Sequence, residues 1–141
     1  MAEETTQFRV RLVTPERTLF EQLADTVMLP SKSGEIEVMY GHAPLLAELG
    51  AGDVIVQGGP DGEKHYNVSW GFVEVLPERV TILANHAQKP EEIDLPAAEQ
   101  LLERALAQFQ SADDSIESID ASMKVIAEAE ARIASAGGGV H

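Results

Sequence analysis

"KPEEIDLPAAEQLLERALAQF", Lys89 to Phe109, is where the chain changes its period. Leu95, Ala98, Leu102, Ala105 and Phe109 recur at alternating steps of three and four residues, one stripe of an amphipathic helix. Asp94 stands where an N-cap belongs. Pro96 falls in the first turn, where its missing N–H would have no intrahelical partner anyway. Nothing before this stretch has that spacing, so the chain is read outward from here in two directions.

Upstream, to about Asn85, the pattern alternates. Phe8, Val10 and Leu12 share one face while Arg9 and Arg11 take the other, the period of a half-buried strand. Short runs of the same kind follow at Leu23–Leu29, Gly34–Met39, Asp53–Gln57, Lys64–Trp70, Phe72–Leu76 and Val80–Ala84. Gly58-Gly59-Pro60-Asp61-Gly62 and Pro77-Glu78 are turn chemistry between neighbouring runs, and each predicts a hairpin. Many short strands at close spacing mean a β-sandwich or a barrel, and periodicity does not choose between them.

Downstream, Gln110-Ser-Ala-Asp-Asp114 interrupts the stripe. Ile116, Ile119, Met123, Ile126 and Ile133 then form a second one, with Glu130 as a polar intrusion. Two antiparallel helices of about 16–20 residues result, roughly 24–30 Å long. Gly137 to His141 is expected to fray. Each stripe is narrow and rich in alanine, so the hairpin packs weakly by itself. The predicted division is a β domain over residues 1–87 and a helical hairpin over 88–141.

Charge narrows the function. The 141 residues carry 24 acids against 10 bases, a formal charge of −14. That sign repels phosphate backbones and anionic lipid heads, which argues against binding nucleic acid or inserting into a membrane. No apolar run approaches the ~20 residues that span a bilayer. With no cysteine, disulfides, thiolate metal sites and cysteine nucleophiles are excluded. The opening Met1-Ala-Glu-Glu-Thr-Thr-Gln is acidic and polar, unlike a secretory or mitochondrial leader, so a cytoplasmic, bacterial setting is expected.

The residues offer little chemistry. None of His42, His65, His86 and His141 belongs to an H-x-x-x-H pair, so no zinc signature exists. His65, beside Tyr66, reads as an ordinary, partly exposed strand residue. Ser69, His42 and Asp53 could be nominated as a hydrolytic trio, but no G-x-S-x-G elbow surrounds the serine. The glycine run at Gly58–Gly62 lacks the lysine and following helix of a phosphate loop. No catalytic residue, cofactor or metal is expected.

What remains is "GEIEVMYGHAPLL", Gly34 to Leu46, an acid, a glycine-flanked histidine and a proline in an apolar setting. Gly34-Glu35-Ile36 and Gly41-His42-Ala43-Pro44-Leu45-Leu46 closely resemble a signature of the epsilon subunits of F-type ATP synthases, roughly G-E-[LI]-G-[IV]-x-P-G-H-A-P-L-L. The resemblance continues through Arg9–Leu12, Thr14-Pro15-Glu16, the Ser69-Trp70-Gly71-Phe72-Val73-Glu74-Val75 strand and Val80–Ala84.

The resemblance implies a two-sheet β-sandwich followed by a C-terminal antiparallel two-helix hairpin. It implies a central-stalk rotor subunit, not an enzyme, that links the gamma subunit to the polar loops of the membrane c-ring. Such a subunit passes proton-driven rotation to the catalytic head, as a peripheral part of the complex on the cytoplasmic face of the bacterial inner membrane. Glu35 takes the position of the acid near the c-ring loops, and His42 that of the histidine close to gamma and the ring. A structural reading of His42 stays open, in which Gly41 and Pro44 fix a tight loop and the ring bonds its own backbone.

This chain departs from the pattern at Glu37, at Tyr40 and at Trp70, where a smaller residue is usual, so the loop is expected to be more acidic and differently shaped. Members that bind ATP at the hairpin carry [IL]-D-x-x-R-A. Here the stretch reads Ile93-Asp94-Leu95-Pro96-Ala97-Ala98, and Ala97 replaces the arginine, so ATP binding is expected to be weak or absent. In some members the C-terminal helices reach the alpha and beta subunits and block hydrolysis with basic residues. From Ser115 to Ser135 this chain has only Lys124 and Arg132 against Glu117, Asp120, Glu128 and Glu130, so inhibition is expected to be feeble. The alternative function is a free-standing nucleotide-sensing or adaptor module.

Overall fold

The computed structural model describes residues 6–60, 62–111 and 115–137. The chain divides into two compact units, Met1–Ala87 and Gln88–His141. Seven strands come first: β1 (Phe8–Val13), β2 (Thr18–Ala24), β3 (Thr26–Ser31), β4 (Gly34–Met39), β5 (Leu45–Gln57), β6 (Lys64–Leu76) and β7 (Arg79–Gln88). They are hydrogen-bonded in the order β2-β1-β7-β6-β5-β3-β4. β1 and β7 run parallel, from Arg9 opposite Arg79 to Val13 opposite Leu83, whereas β1–β2, β3–β4, β3–β5 and β5–β6 are antiparallel.

One continuous sheet becomes a sandwich because its two longest strands crease. β5 and β6 are each 13 residues long and pair from Leu45 opposite Val75 to Val56 opposite Lys64. Their buried sets change phase midway. β5 buries Leu49, then Val54 and Val56; β6 buries Tyr66 and Val68, then Val73 and Val75. The switch falls at Gly50-Ala51-Gly52, facing Ser69-Trp70-Gly71. There Trp70 has φ 61° and Gly71 φ 128°, both left-handed. A Cβ on Gly71 would lie 1.9 Å from the Leu83 carbonyl oxygen, so only glycine fits. The crease keeps the apolar face inward as the sheet folds over. Phe8, Val10 and Leu12 of β1 meet Val27, Leu29 and Val38 in one core with essentially no exposure.

The same crease accounts for where periodicity misjudged the strands. Asp53–Gln57 is only the far half of β5, and Lys64–Trp70 and Phe72–Leu76 are two halves of β6. Glycines break the alternation of the letters without breaking the ladder. Leu23–Leu29, in contrast, belongs to two strands. The chain turns at Asp25, whose N–H donates to the Gln57 carbonyl at 2.8 Å. Both predicted hairpin connections join neighbouring strands, although Asp61 of the glycine run lies outside the described residues.

The second unit starts with a short 3-10 turn, Pro90–Glu92, followed by α1 (Leu95–Ser111) and α2 (Ile116–Ala136). Asp94 caps α1, its Oδ1 accepting from the Ala97 N–H at 3.1 Å. Ser115 caps α2 by accepting from the Ser118 N–H at 3.2 Å. α1 buries Ala98 and Ala105, and α2 buries Ser122, Ala129 and Ser135. The second stripe therefore needs correcting. Ile116 and Met123 are 76% and 54% exposed, and Phe109 of the first stripe is 42% exposed. Alanine and serine hold the buried positions, Leu102, Ile119, Ile126 and Ile133 are half-buried beside them, and Phe109, Ile116 and Met123 are turned outward. The predicted break at Gln110–Asp114 starts too early, because α1 continues through Gln110 and Ser111. Residues 112–114 lie outside the described residues, as does the predicted tail beyond Gly137, the C-cap of α2.

Candidate functional site

β4 is an edge strand, paired only with β3 in the sheet order. The turn before it is tightly held. Ser31 Oγ donates to the Gly34 carbonyl at 2.6 Å and accepts from the Ser33 N–H at 3.2 Å. The Lys32 N–H donates to the Glu48 carbonyl, and Lys32 Nζ lies 3.3 Å from Glu48 Oε2. This places Glu35 opposite Pro30 and Glu37 opposite Met28. Both carboxylates are exposed, and neither makes an ion pair among the described residues. Their charge is available to something outside the chain.

Beyond β4 the chain turns through Tyr40–Pro44 into β5. Gly41 takes φ 83°, and its N–H donates to the Pro77 carbonyl at 2.9 Å, which ties the loop to the β6–β7 turn. The His42 N–H donates to the Met39 carbonyl at 3.2 Å. The half-buried His42 ring sets Nδ1 2.7 Å from the Ala43 carbonyl, so Nδ1 carries the proton and donates. That is the backbone bond the structural reading of His42 expects, and it leaves Nε2 with no hydrogen-bond partner among the described residues. Glu35 and His42 are not neighbours. β4 runs between them, and four residues of strand alone span ~13 Å.

The loop also exposes apolar side chains that the sequence reading did not single out. Met39 is 54% exposed, Tyr40 43% and Leu46 73%. Leu46 alternates outward between Leu45 and Ala47. That signal is readable only once β5 is known to begin at Leu45 rather than Asp53. Met39 follows Glu37 by two residues on the outer side of β4, so apolar and acidic side chains share this edge strand, a mixture found on contact surfaces.

The nominated trio is not assembled. Asp53 lies with His65, at 3.1 Å from its Nε2, and accepts from Asn67 Nδ2 at 3.3 Å. Ser69 is buried opposite Ala51. Among the described residues, no group of three or more His, Asp or Glu side chains could hold a metal. No helix among them is long and apolar enough to cross a membrane. The Asp94 carboxylate, in the stretch that departs from the ATP-binding motif, is occupied as the α1 cap.

A creased sandwich followed by two helices is the architecture of the delta/epsilon class of ATP synthase subunits. The model of the ATP synthase delta/epsilon chain β-sandwich domain matches residues 7–90. The ATP synthase epsilon chain of Koribacter versatilis is 39% identical over 105 residues, covering 74% of this chain and 72% of that one. The epsilon chain of Granulibacter bethesdensis is 36% identical over 132 residues, covering 92% and 97%. The chain belongs to the ATP synthase epsilon chain family. Among solved structures, a chain of the Euglena gracilis mitochondrial ATP synthase (OSCP/F1/c-ring, rotational state 1) superposes with a TM-score of 0.78 at 23% identity, covering 92% and 81%. A chain of the Tetrahymena thermophila mitochondrial ATP synthase central stalk and c-ring gives 0.66 at 12% identity, covering 95% and 99%. At those identities the likeness is one of fold.

Proposed function

We propose that the chain is a non-catalytic rotor subunit of the central stalk. Its sandwich, residues 1–87, grips the gamma subunit and rests on the polar loops of the c-ring, so that proton-driven rotation reaches the head. It works at the cytoplasmic face of the bacterial inner membrane as a peripheral component and uses no cofactor. The observation that carries this reading is the loop surface itself. Met39 and Tyr40 are exposed just beyond Glu37 at the end of β4, Leu46 is exposed at the start of β5, and neither Glu35 nor Glu37 makes an ion pair among the described residues. Apolar area supplies affinity, whereas an exposed ion pair at Glu35 adds only ~0–1 kcal/mol. Glu35 meets a basic group of a c-ring loop, and His42 offers Nε2 at the gamma–ring junction.

The test is calorimetric binding of the full chain to a bacterial gamma subunit and to its complex with the c-ring, with Glu35→Arg and His42→Ala alongside. One-to-one binding to gamma is expected, with Glu35→Arg weakening only the step that adds the ring. Absence of binding to either partner sinks the rotor reading.

The hairpin, residues 88–141, inhibits ATP hydrolysis feebly. Arg132 is already engaged by Glu128 one turn earlier, which lowers the positive charge offered to an acidic partner. Removing the residues after Ala87 is expected to change ATPase turnover of the assembled enzyme by less than about twofold; a severalfold rise would overturn that. The nucleotide-sensing alternative is disfavoured by Ala97 and by the engaged Asp94, and micromolar ATP affinity in a titration would revive it.

A further inference from the structure

The outer face of β1 and β7 collects positive charge on a chain whose formal net charge is −14. Val10, Leu12 and Val80 are buried, so Arg9, Arg11 and Arg79 point outward on the same side. The parallel register sets Arg9 directly opposite Arg79. Like charges at paired sheet positions destabilise the sheet. Among the described residues one carboxylate answers them: Glu21 lies 3.4 Å from Arg9 and 3.9 Å from Arg11. Arg79 has no ion-pair partner among the described residues.

A groove of about 480 Å³ opens beside the pair, lined by Arg9, Leu76, Pro77, Glu78 and Arg79. Glu78 contributes its carbonyl, which accepts from the Arg9 N–H at 3.0 Å, and its carboxylate forms no ion pair with either guanidinium. The groove adjoins the candidate docking loop, because the Pro77 carbonyl is the acceptor for the Gly41 N–H.

We propose that Arg9 and Arg79 form a docking site for a carboxylate side chain of the protein that grips this end of the sandwich, its stem lying over Leu76 and Pro77. The identity of that protein as a stalk subunit rests on the rotor reading above. Arg9 and Arg79 stand side by side on one face of the ladder. Although Arg9 also reaches Glu21 on β2, a carboxylate lying over the pair can accept from Arg79 and from the N–H groups that Glu21 leaves on Arg9, lowering their repulsion. The excess acid of the chain repels an extended polyanion such as a lipid surface or a nucleic acid. A single carboxylate on a protein that is otherwise neutral or basic escapes that penalty.

The experiment measures binding of the full chain to its gamma subunit, and to gamma with the c-ring, at low and high salt. Arg79→Glu and Arg79→Lys are the variants, and thermal unfolding of each is recorded. The wild type is expected to bind. Arg79→Glu should weaken binding tenfold or more and flatten its salt dependence, while its melting temperature holds or rises because a like-charge pair is gone. Arg79→Lys, which keeps the charge and loses the fork, should fall between. Wild-type binding with Arg79→Glu unchanged at both salts overturns the carboxylate site and leaves the rotor reading intact. A wild type that binds neither partner overturns both. Binding to phosphatidylglycerol vesicles that Arg79→Glu abolishes would make the site one for lipid phosphate and overturn the protein partner.

Discussion

The sandwich and the helical hairpin bury different kinds of side chain. In the sandwich the fully buried positions are Phe8, Leu12, Leu29, Leu49, Ile82 and a set of valines. In the hairpin the buried positions are Ala98, Ala105, Ala129, Ser122 and Ser135. Burying a leucine or phenylalanine contributes ~1.5–3 kcal/mol, and a methyl group well under half of that. The sandwich is therefore held by burial, whereas the hairpin depends more on close backbone approach, on capping and on helix propensity. It also leaves Leu106, Phe109, Ile116 and Met123 exposed on either side of the helix connection. The sandwich has a deep apolar core that fixes its shape, and the hairpin has less to hold it to a single arrangement.

That contrast breaks first, and most visibly, in the core of the sandwich. Leu29 is fully buried between the layers, and Leu29→Ala is expected to cost ~2–5 kcal/mol. Trp70 is the only tryptophan, so its fluorescence follows the sandwich through a urea titration while far-ultraviolet dichroism follows the helices. A loss below about 1 kcal/mol in the fluorescence transition would mean that the core is not what holds the crease. In the hairpin the damaging change has the opposite sense. Ala129→Leu overfills a seam built for small residues and should cost ~1–3 kcal/mol, confined to the helical signal. If Ala129→Leu stabilises the helices instead, the seam is loose rather than close-packed.

How much of this is legible in the letters depends on the range of each interaction. The start of α1 is local, since Asp94 and Ala97 are three residues apart and the cap they form is the one expected. The strands at β1 and β4 are legible because Phe8-Val10-Leu12 and Ile36-Val38 alternate without interruption. β5 and β6 are not, because Gly50–Gly52 and Trp70-Gly71 shift the phase at a crease that only long-range pairing creates. The seam of α2 is misjudged for a related reason: hydrophobicity favours Ile116 and Met123, but close approach selects Ser122 and Ala129. At the candidate site, Glu35 and His42 stand out by motif. The exposed Leu46 and the Arg9–Arg79 pair need the register, and the parallel β1–β7 ladder joins residues from opposite ends of the sandwich sequence.

The smaller effects separate helix formation from helix docking. Asp94→Ala removes the bond to the Ala97 N–H and should cost ~0.5–2 kcal/mol in the helical transition, with the fluorescence transition unmoved. Met123→Ser should cost least of all, within ~0.5 kcal/mol, because a side chain that is 54% exposed gives up little on becoming polar. The two changes together distinguish what the hairpin is for. If Met123→Ser is neutral in the isolated chain yet weakens assembly with the other ATP synthase subunits, the apolar residues turned outward from the seam are contact surface. If it lowers the stability of the isolated chain by more than about 1 kcal/mol, Met123 is covered in solution, and the small-residue seam is only part of what holds the helices.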